Sequence, residues 1–209
     1  MEAHPVFQIA RSIAPALVAC IMALAPLAAS SQPLDLQEAV PAQNLPDSKR
    51  TTPGLYITAA EAGRIVDAHD TVALIDVRAP SEIMLIGYAT PTAALIPSHI
   101  VDPEINEASR NGTYRMVKNP DFEAEFQAWL DSDAARDVEI VLVTCRSGSR
   151  SAAAIERLIV AGVDLPLYSV VDGFEGDKTD DGVRDINGWR NAGLPWTYKI
   201  RDGLRPNRD

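Results

Sequence analysis

Apolar residues recur along this chain in two rhythms. Short, mostly β-branched runs at Val72 to Val77, Val138 to Thr144 and Leu167 to Val171 predict buried strands, and Tyr56-Ile57 is a candidate edge strand. Between them the apolar spacing widens to that of a helix. Ala62, Ile65 and Val66 follow Thr58-Ala59-Ala60-Glu61, which has the spacing of a capping box. Phe122, Phe126, Trp129 and Leu130 form an apolar helical face, with Asn119 as expected N-cap and Pro120 as first helical residue. These aromatics read as core, not as a ligand box. Ile155, Leu158 and Ile159 give a helix over Ser151 to Ala161, closed by Gly162 as a C′ residue. Strands alternating with helices imply βα units and a parallel sheet covered on both faces. Residues 83 to 110 show no clear period and are expected as irregular structure beside the site.

The polar ends of the chain set its organisation. Arg11 followed by the alanine-rich apolar run Ile13 to Ala29 and small residues through Ser31 reads as a signal peptide over residues 1 to 31. A periplasmic or secreted protein is therefore expected, with no stable membrane insertion after cleavage. The alternatives are lipidation at Cys20, in Leu17-Val18-Ala19-Cys20, and an uncleaved N-terminal anchor. Residues 32 to 55, with Pro33, Pro41, Pro46 and Pro53, read as a linker or loosely packed arm. The folded domain is expected over 56 to 201, and a polar tail over 202 to 209.

Composition narrows the chemistry. The 209 residues carry a formal charge of −10, which argues against nucleic acid or an anionic membrane surface as partner. There are two cysteines, and removal of the signal leaves Cys145 alone, so no internal disulfide is expected. No metal constellation is present. Asp177, Thr179, Asp181 and Gly182 imitate the start of a calcium loop, but Gly188 stands where such a loop needs a bidentate Glu. Residues 177 to 188 therefore read as a solvated acidic loop.

Against that acidic background, Cys145-Arg146-Ser147-Gly148-Ser149-Arg150 is locally basic. It joins a predicted strand to a predicted helix. Helix N-termini present unpaired N–H groups and partial positive charge, and a short Gly/Ser loop can aim more N–H groups at one centre. A cysteine in that field is expected as a thiolate nucleophile. A buried core cysteine is the bland reading, disfavoured by the arginines and serines that follow. Asp76 and Arg78 end the strand at 72 to 77, on the side where parallel sheets gather their sites. They are read as a supporting salt bridge that fixes the turn, with Glu82 as a further partner. His99 is expected as a partly buried, hydrogen-bonded residue without a catalytic role.

The Cys145 loop resembles the active-site loop of the rhodanese (thiosulfate sulfurtransferase) family. Three further segments carry the resemblance: Leu74-Ile75-Asp76-Val77-Arg78 with Glu82, Val171-Asp172-Gly173-Phe174-Glu175-Gly176, and Gly188-Trp189-Arg190-Asn191-Ala192-Gly193-Leu194-Pro195. Tyr114 to Asp121 is similar to a segment of exported members. The family's Gly-His-Ile-Pro-Gly-Ala segment is replaced by Ile96-Pro97-Ser98-His99-Ile100. The resemblance implies a rhodanese-like α/β fold, an open parallel sheet of about five strands. It implies transfer of sulfane sulfur from an anionic donor such as thiosulfate, through a Cys145 persulfide, to cyanide or a thiol, with no cofactor. Arg146 and Arg150 would orient the donor, and Ser147, Gly148 and Ser149 would complete the binding loop. A periplasmic sulfur-acceptor protein is a candidate partner. The alternatives are a cysteine-loop phosphatase or arsenate reductase, whose Cys-x5-Arg spacing differs from Arg150 here, and a non-catalytic persulfide-binding or redox-sensing module.

Overall fold

The computed structural model describes Met1, residues 40 to 104, Gly112 and residues 114 to 204. The expected signal peptide beyond Met1, with Cys20, and the last five residues of the expected tail lie outside the described residues. Among the described residues no helix is long and apolar enough to cross a membrane.

The centre of the fold is a parallel sheet of five strands: β1 (Tyr56–Ile57), β2 (Val72–Asp76), β4 (Thr92–Leu95), β7 (Ile140–Thr144) and β8 (Leu167–Val170). Their order is β1-β8-β7-β2-β4. The most apolar runs occupy the middle, where both faces are covered, as parallel pairing requires. β2 and β7 pair in continuous register from Val72↔Ile140 to Asp76↔Thr144. Both central strands therefore end at the same level, and Cys145 emerges beside Val77, whose N–H bonds to the Thr144 carbonyl at 2.9 Å.

Side-chain alternation divides the sheet between two layers. Ala73, Ile75, Val141, Val143 and Leu167 pack with Phe122 and Phe126 of α3 (Phe122–Leu130) and Ala154, Ile155 and Leu158 of α4 (Ser149–Val160). Both phenylalanines are fully buried, each contributing about 1.5–3 kcal/mol of apolar transfer free energy. α1 (Ala59–Ala68) begins at Thr58, whose hydroxyl accepts the Glu61 N–H at 3.2 Å, one half of the expected capping box, while the Glu61 carboxylate pairs with Arg64. α4 ends in a Schellman turn: Val163 N–H bonds to Leu158 O, Gly162 N–H bonds to Ile159 O, and Gly162 has φ +88°.

Several expectations are corrected. Residues 83 to 110 are not wholly irregular. They hold the end of α2 (Pro80–Ile86), then β3 (Tyr88–Ala89), the sheet-edge strand β4 and β5 (His99–Asp102). β5 forms an antiparallel hairpin with β6 (Arg115–Lys118), and β3 pairs antiparallel with β9 (Trp196–Thr197). Helix α3 starts at Phe122. Asn119 is spent on an Asx turn, accepting the Asp121 N–H while its amide donates to Pro97 O. Residues 40 to 55 are docked rather than loose: Leu45 is buried with Tyr56 and Val171, and Lys49 pairs with Asp177 at 2.6 Å. Leu204, in the expected polar tail, is buried against Ile83 and Tyr88.

Candidate functional site

Helix α4 begins at Ser149, earlier than the predicted Ser151. Gly148 is its N-cap with φ +98°, a conformation that turns the chain into the helix after only Arg146 and Ser147. Arg150 therefore lies in the first helical turn and does not close a longer loop. The Gly148 N–H points at Cys145 Sγ, 3.2 Å away. Having no side chain, Gly148 leaves the first-turn N–H groups without a local cap.

The loop rests directly on the segment after β8. A Cβ on Gly148 would lie 2.1 Å from the Val171 carbonyl oxygen, and one on Gly173 (φ +62°) would lie 2.6 Å from the Cys145 carbonyl oxygen. Only glycine fits at both positions. Phe174 N–H bonds to Cys145 O at 2.8 Å, and Glu175 N–H bonds to Arg146 O at 3.0 Å. Behind this clamp, Asp172 accepts the N–H groups of Ala59 (2.7 Å) and Gly188 (2.9 Å). Burial pushes the Asp172 carboxyl up, and these bonds only partly oppose it.

Asp76 and Arg78 form a fully buried pair, with Nη2 2.6 Å from Oδ2. Arg78 also donates to Gly87 O at 2.8 Å and stacks 4.2 Å over the Phe174 ring. The pair thus ties the β2 turn to the clamp under Cys145. Glu82 is not its partner. Glu82 instead forms a two-pronged pair with Arg150, both contacts 2.6 Å, and accepts the Ala79 N–H at 3.0 Å. Burial alone would raise the Glu82 carboxyl, but Arg150, the Ala79 N–H and Arg78 together hold it below the usual range. Arg146 is also engaged, with Nε 2.7 Å from Glu175 Oε1. The sequence assigns both loop arginines to a substrate anion. In the structure both line the cavity, and each is also paired with a carboxylate that orients it in the loop.

The cysteine itself is 1% exposed and packs with the core cluster, yet it also lines a cavity of about 400 Å³. Ser147 and Ser149 line that cavity with it. Two further elements were not recognised from sequence. Val101 and Met116, a cross-strand pair of the β5–β6 hairpin, form an apolar wall. Arg184, from the acidic 177–188 loop, also lines the cavity and donates to the Gly176 carbonyl. Its only signal was a cation inside an Asp/Gly-rich run. His99 is partly buried with Nδ1 3.0 Å from Ser98 Oγ, and burial and the charges of Arg150, Arg157 and Lys118 lower its basicity. Among the described residues no cluster of His, Cys, Asp and Glu is placed to hold a metal ion.

No family model matches the chain. It is 25% identical over 142 residues to uncharacterised proteins of Rickettsia rickettsii and Rickettsia montanensis, covering 68% of this chain and 96% of each relative. Among solved structures it is similar to Rv0390 from M. tuberculosis, with 29% identity and a TM-score of 0.51 over 68% of this chain and 96% of that one. It also matches a protein of unknown function, possible tyrosine phosphatase, from Rhodopseudomonas palustris, at 17% identity and TM-score 0.36, over 68% of this chain and 84% of that one. The fold is rhodanese-like: a five-stranded parallel sheet flanked by helices, with the cysteine loop at the C-terminal end of its central strand.

Proposed function

We propose that this protein is a sulfurtransferase that carries sulfane sulfur as a persulfide on Cys145. The observation that carries this reading is a thiol at the floor of an open cavity, facing the Gly148 N–H at 3.2 Å in a very short loop before α4. The Cys145 thiolate attacks the outer sulfur of a sulfane donor such as thiosulfate. The new S–S bond forms as the old one breaks, and sulfite departs with the electron pair. An acceptor thiolate or cyanide then attacks the outer sulfur of the persulfide and releases the Cys145 thiolate. The start of α4 favours the sulfur-bearing anion in both steps. No cofactor is needed for this exchange. The loop's shortness supports sulfur over phosphoryl transfer, because a phosphoryl group needs donors for several oxygens and so a wider loop.

The test is intact mass. Incubation with thiosulfate or another sulfane donor should add one sulfur atom to Cys145, and cyanide should remove it as thiocyanate. Cys145→Ser should abolish both events while retaining the fold, and aryl phosphates should not turn over. Failure of every sulfane donor to load the wild-type protein would falsify the enzyme reading and favour a binding module. Turnover of an aryl phosphate at a comparable rate would favour the phosphatase reading. We also propose export to the periplasm, with delivery of sulfur to a small thiol or a periplasmic acceptor protein. Fractionation of the host and the N-terminal mass of the product test this, and a lipidated Cys20 would replace it.

A further inference from the structure

Three arginines line the Cys145 cavity: Arg146, Arg150 and Arg184. Arg146 is paired with Glu175 and Arg150 with Glu82. Among the described residues Arg184 has no carboxylate within ion-pair distance. Its Nη1 donates to a neutral acceptor, the Gly176 carbonyl, and its Nε is shielded from solvent with no acceptor. A guanidinium presents five donors in a planar fork suited to a carboxylate. Of the three arginines, Arg184 is thus the one without a direct ion pair among the described residues. Burial, and then the neighbouring Arg146 charge, disfavour its charged form, Glu175, Asp177 and Cys145 only partly oppose them, and an incoming anion would relieve the remainder.

The cavity lining also has an apolar part. Val101 and Met116 face each other across the hairpin and remain 38% and 39% exposed. A space of about 400 Å³ is of the size that holds a small organic ligand. A small inorganic anion would leave most of it to water and the apolar pair uncovered. We infer that the natural sulfur carrier is a small organic thiol, or its persulfide, bearing a carboxylate. Arg184 holds the carboxylate, and the Val101–Met116 wall covers the carbon stem. This inference rests on the persulfide chemistry above and names its substrate class. With a persulfide donor, the Cys145 thiolate attacks the terminal sulfur. The Cys145–sulfur bond forms, the donor S–S bond breaks, and the carrier leaves as a thiolate with the electron pair. The terminal proton stays on the transferred sulfur, so charge and electrons balance.

The test compares three donors on the purified protein: mercaptopropionate persulfide, mercaptoethanol persulfide and thiosulfate. The wild type should be loaded with the highest kcat/KM by the carboxylated persulfide. Arg184→Gln should lower the ratio of kcat/KM for carboxylated over neutral persulfide by about tenfold, through KM, as loss of a charge-assisted contact implies. Arg184→Lys should restore most of that ratio. An unchanged ratio in Arg184→Gln, including a fall shared by all donors from a structural role, overturns the assignment of Arg184. Thiosulfate as the best wild-type donor overturns the organic carrier. Both results leave the sulfurtransferase reading standing if Cys145 is loaded. Absence of loading by any donor in the wild type overturns both.

Discussion

Two walls around Cys145 differ in what holds them. The floor is backbone on backbone. The Cys145–Gly148 turn lies on Val171 to Phe174 with contacts that leave no room for a Cβ at Gly148 or Gly173. Main-chain hydrogen bonds at 2.8 and 3.0 Å lock the two segments together. The rim is built from side chains: Glu82 with Arg150, Glu175 with Arg146, an exposed apolar pair and the Arg184 guanidinium. A backbone floor cannot be retuned without breaking it, whereas a side-chain rim can change its ligand by substitution. On the function proposed above, the chemistry sits on the rigid part and the selectivity on the adjustable one.

The sharpest way to break this contrast is a methyl group in the floor. Gly173→Ala combines an unfavourable φ with contacts of 2.6–2.7 Å to backbone atoms of the cysteine loop. It should destabilise the fold by about 3 kcal/mol or more and remove sulfur loading. Gly162→Ala is the control. Gly162 has φ +88° but no neighbouring atom within 4 Å of an added Cβ, so only the conformational cost of about 1–2 kcal/mol is expected. Urea midpoints of the two variants measure the difference. Equal losses would mean that the floor is no more rigid than a helix end.

The next effect belongs to the rim. Glu82→Gln leaves the Arg150 charge, whose side chain is 21% exposed, without its anion. A loss of about 1–3 kcal/mol is expected, below that of a fully buried pair because water reaches both groups. The loading rate should fall several-fold, since Arg150 sits in the first turn of α4. Adding Arg150→Met should recover part of the stability, because the stranded charge is gone. A double-mutant cycle reads this coupling, and additive effects would show that the pair does not position the loop.

The same contrast explains what could be read from the sequence. The cysteine half of the floor is local in sequence: a β-branched run, a cysteine, small residues and glycine, then a helical face. Thr58, Gly162 and the Phe122–Phe126 face were legible for the same reason, since caps and periodicity act over a few residues. The rim is assembled from distant parts. Arg150 meets Glu82 across 68 residues, and nothing in either neighbourhood specifies the other. The strand Thr92–Leu95 was missed because its small residues alternate weakly at a sheet edge. Val101 and Met116 become a wall only through a hairpin whose strands are separated by a long connection. The early start of α4 was missed because it depends on the positive φ that Gly148 adopts against Val171.

The smallest effect expected is a difference in the sign of pH dependence between floor and rim. Glu82 has a folded-state pKa lowered by Arg150, so the folded state binds fewer protons than the unfolded chain. Its contribution is fully present above the unfolded carboxylate range, about 4.3, and is lost as pH falls through the lower folded value. Asp172 lies behind the floor, and burial raises its folded-state pKa despite the Ala59 and Gly188 N–H groups. There the folded state binds more protons, so stability increases as pH falls from the raised folded value toward the unfolded one, about 3.9. Chemical unfolding of the wild type, Glu82→Gln and Asp172→Asn across mildly acidic pH separates the two. The gap between wild type and Glu82→Gln should shrink on acidification. Wild-type stability relative to Asp172→Asn should instead rise, on top of a constant offset, because an amide oxygen accepts less well than a carboxylate. Slopes of the same sign in both comparisons would show that Asp172 is solvated or paired more strongly than its position behind the clamp implies.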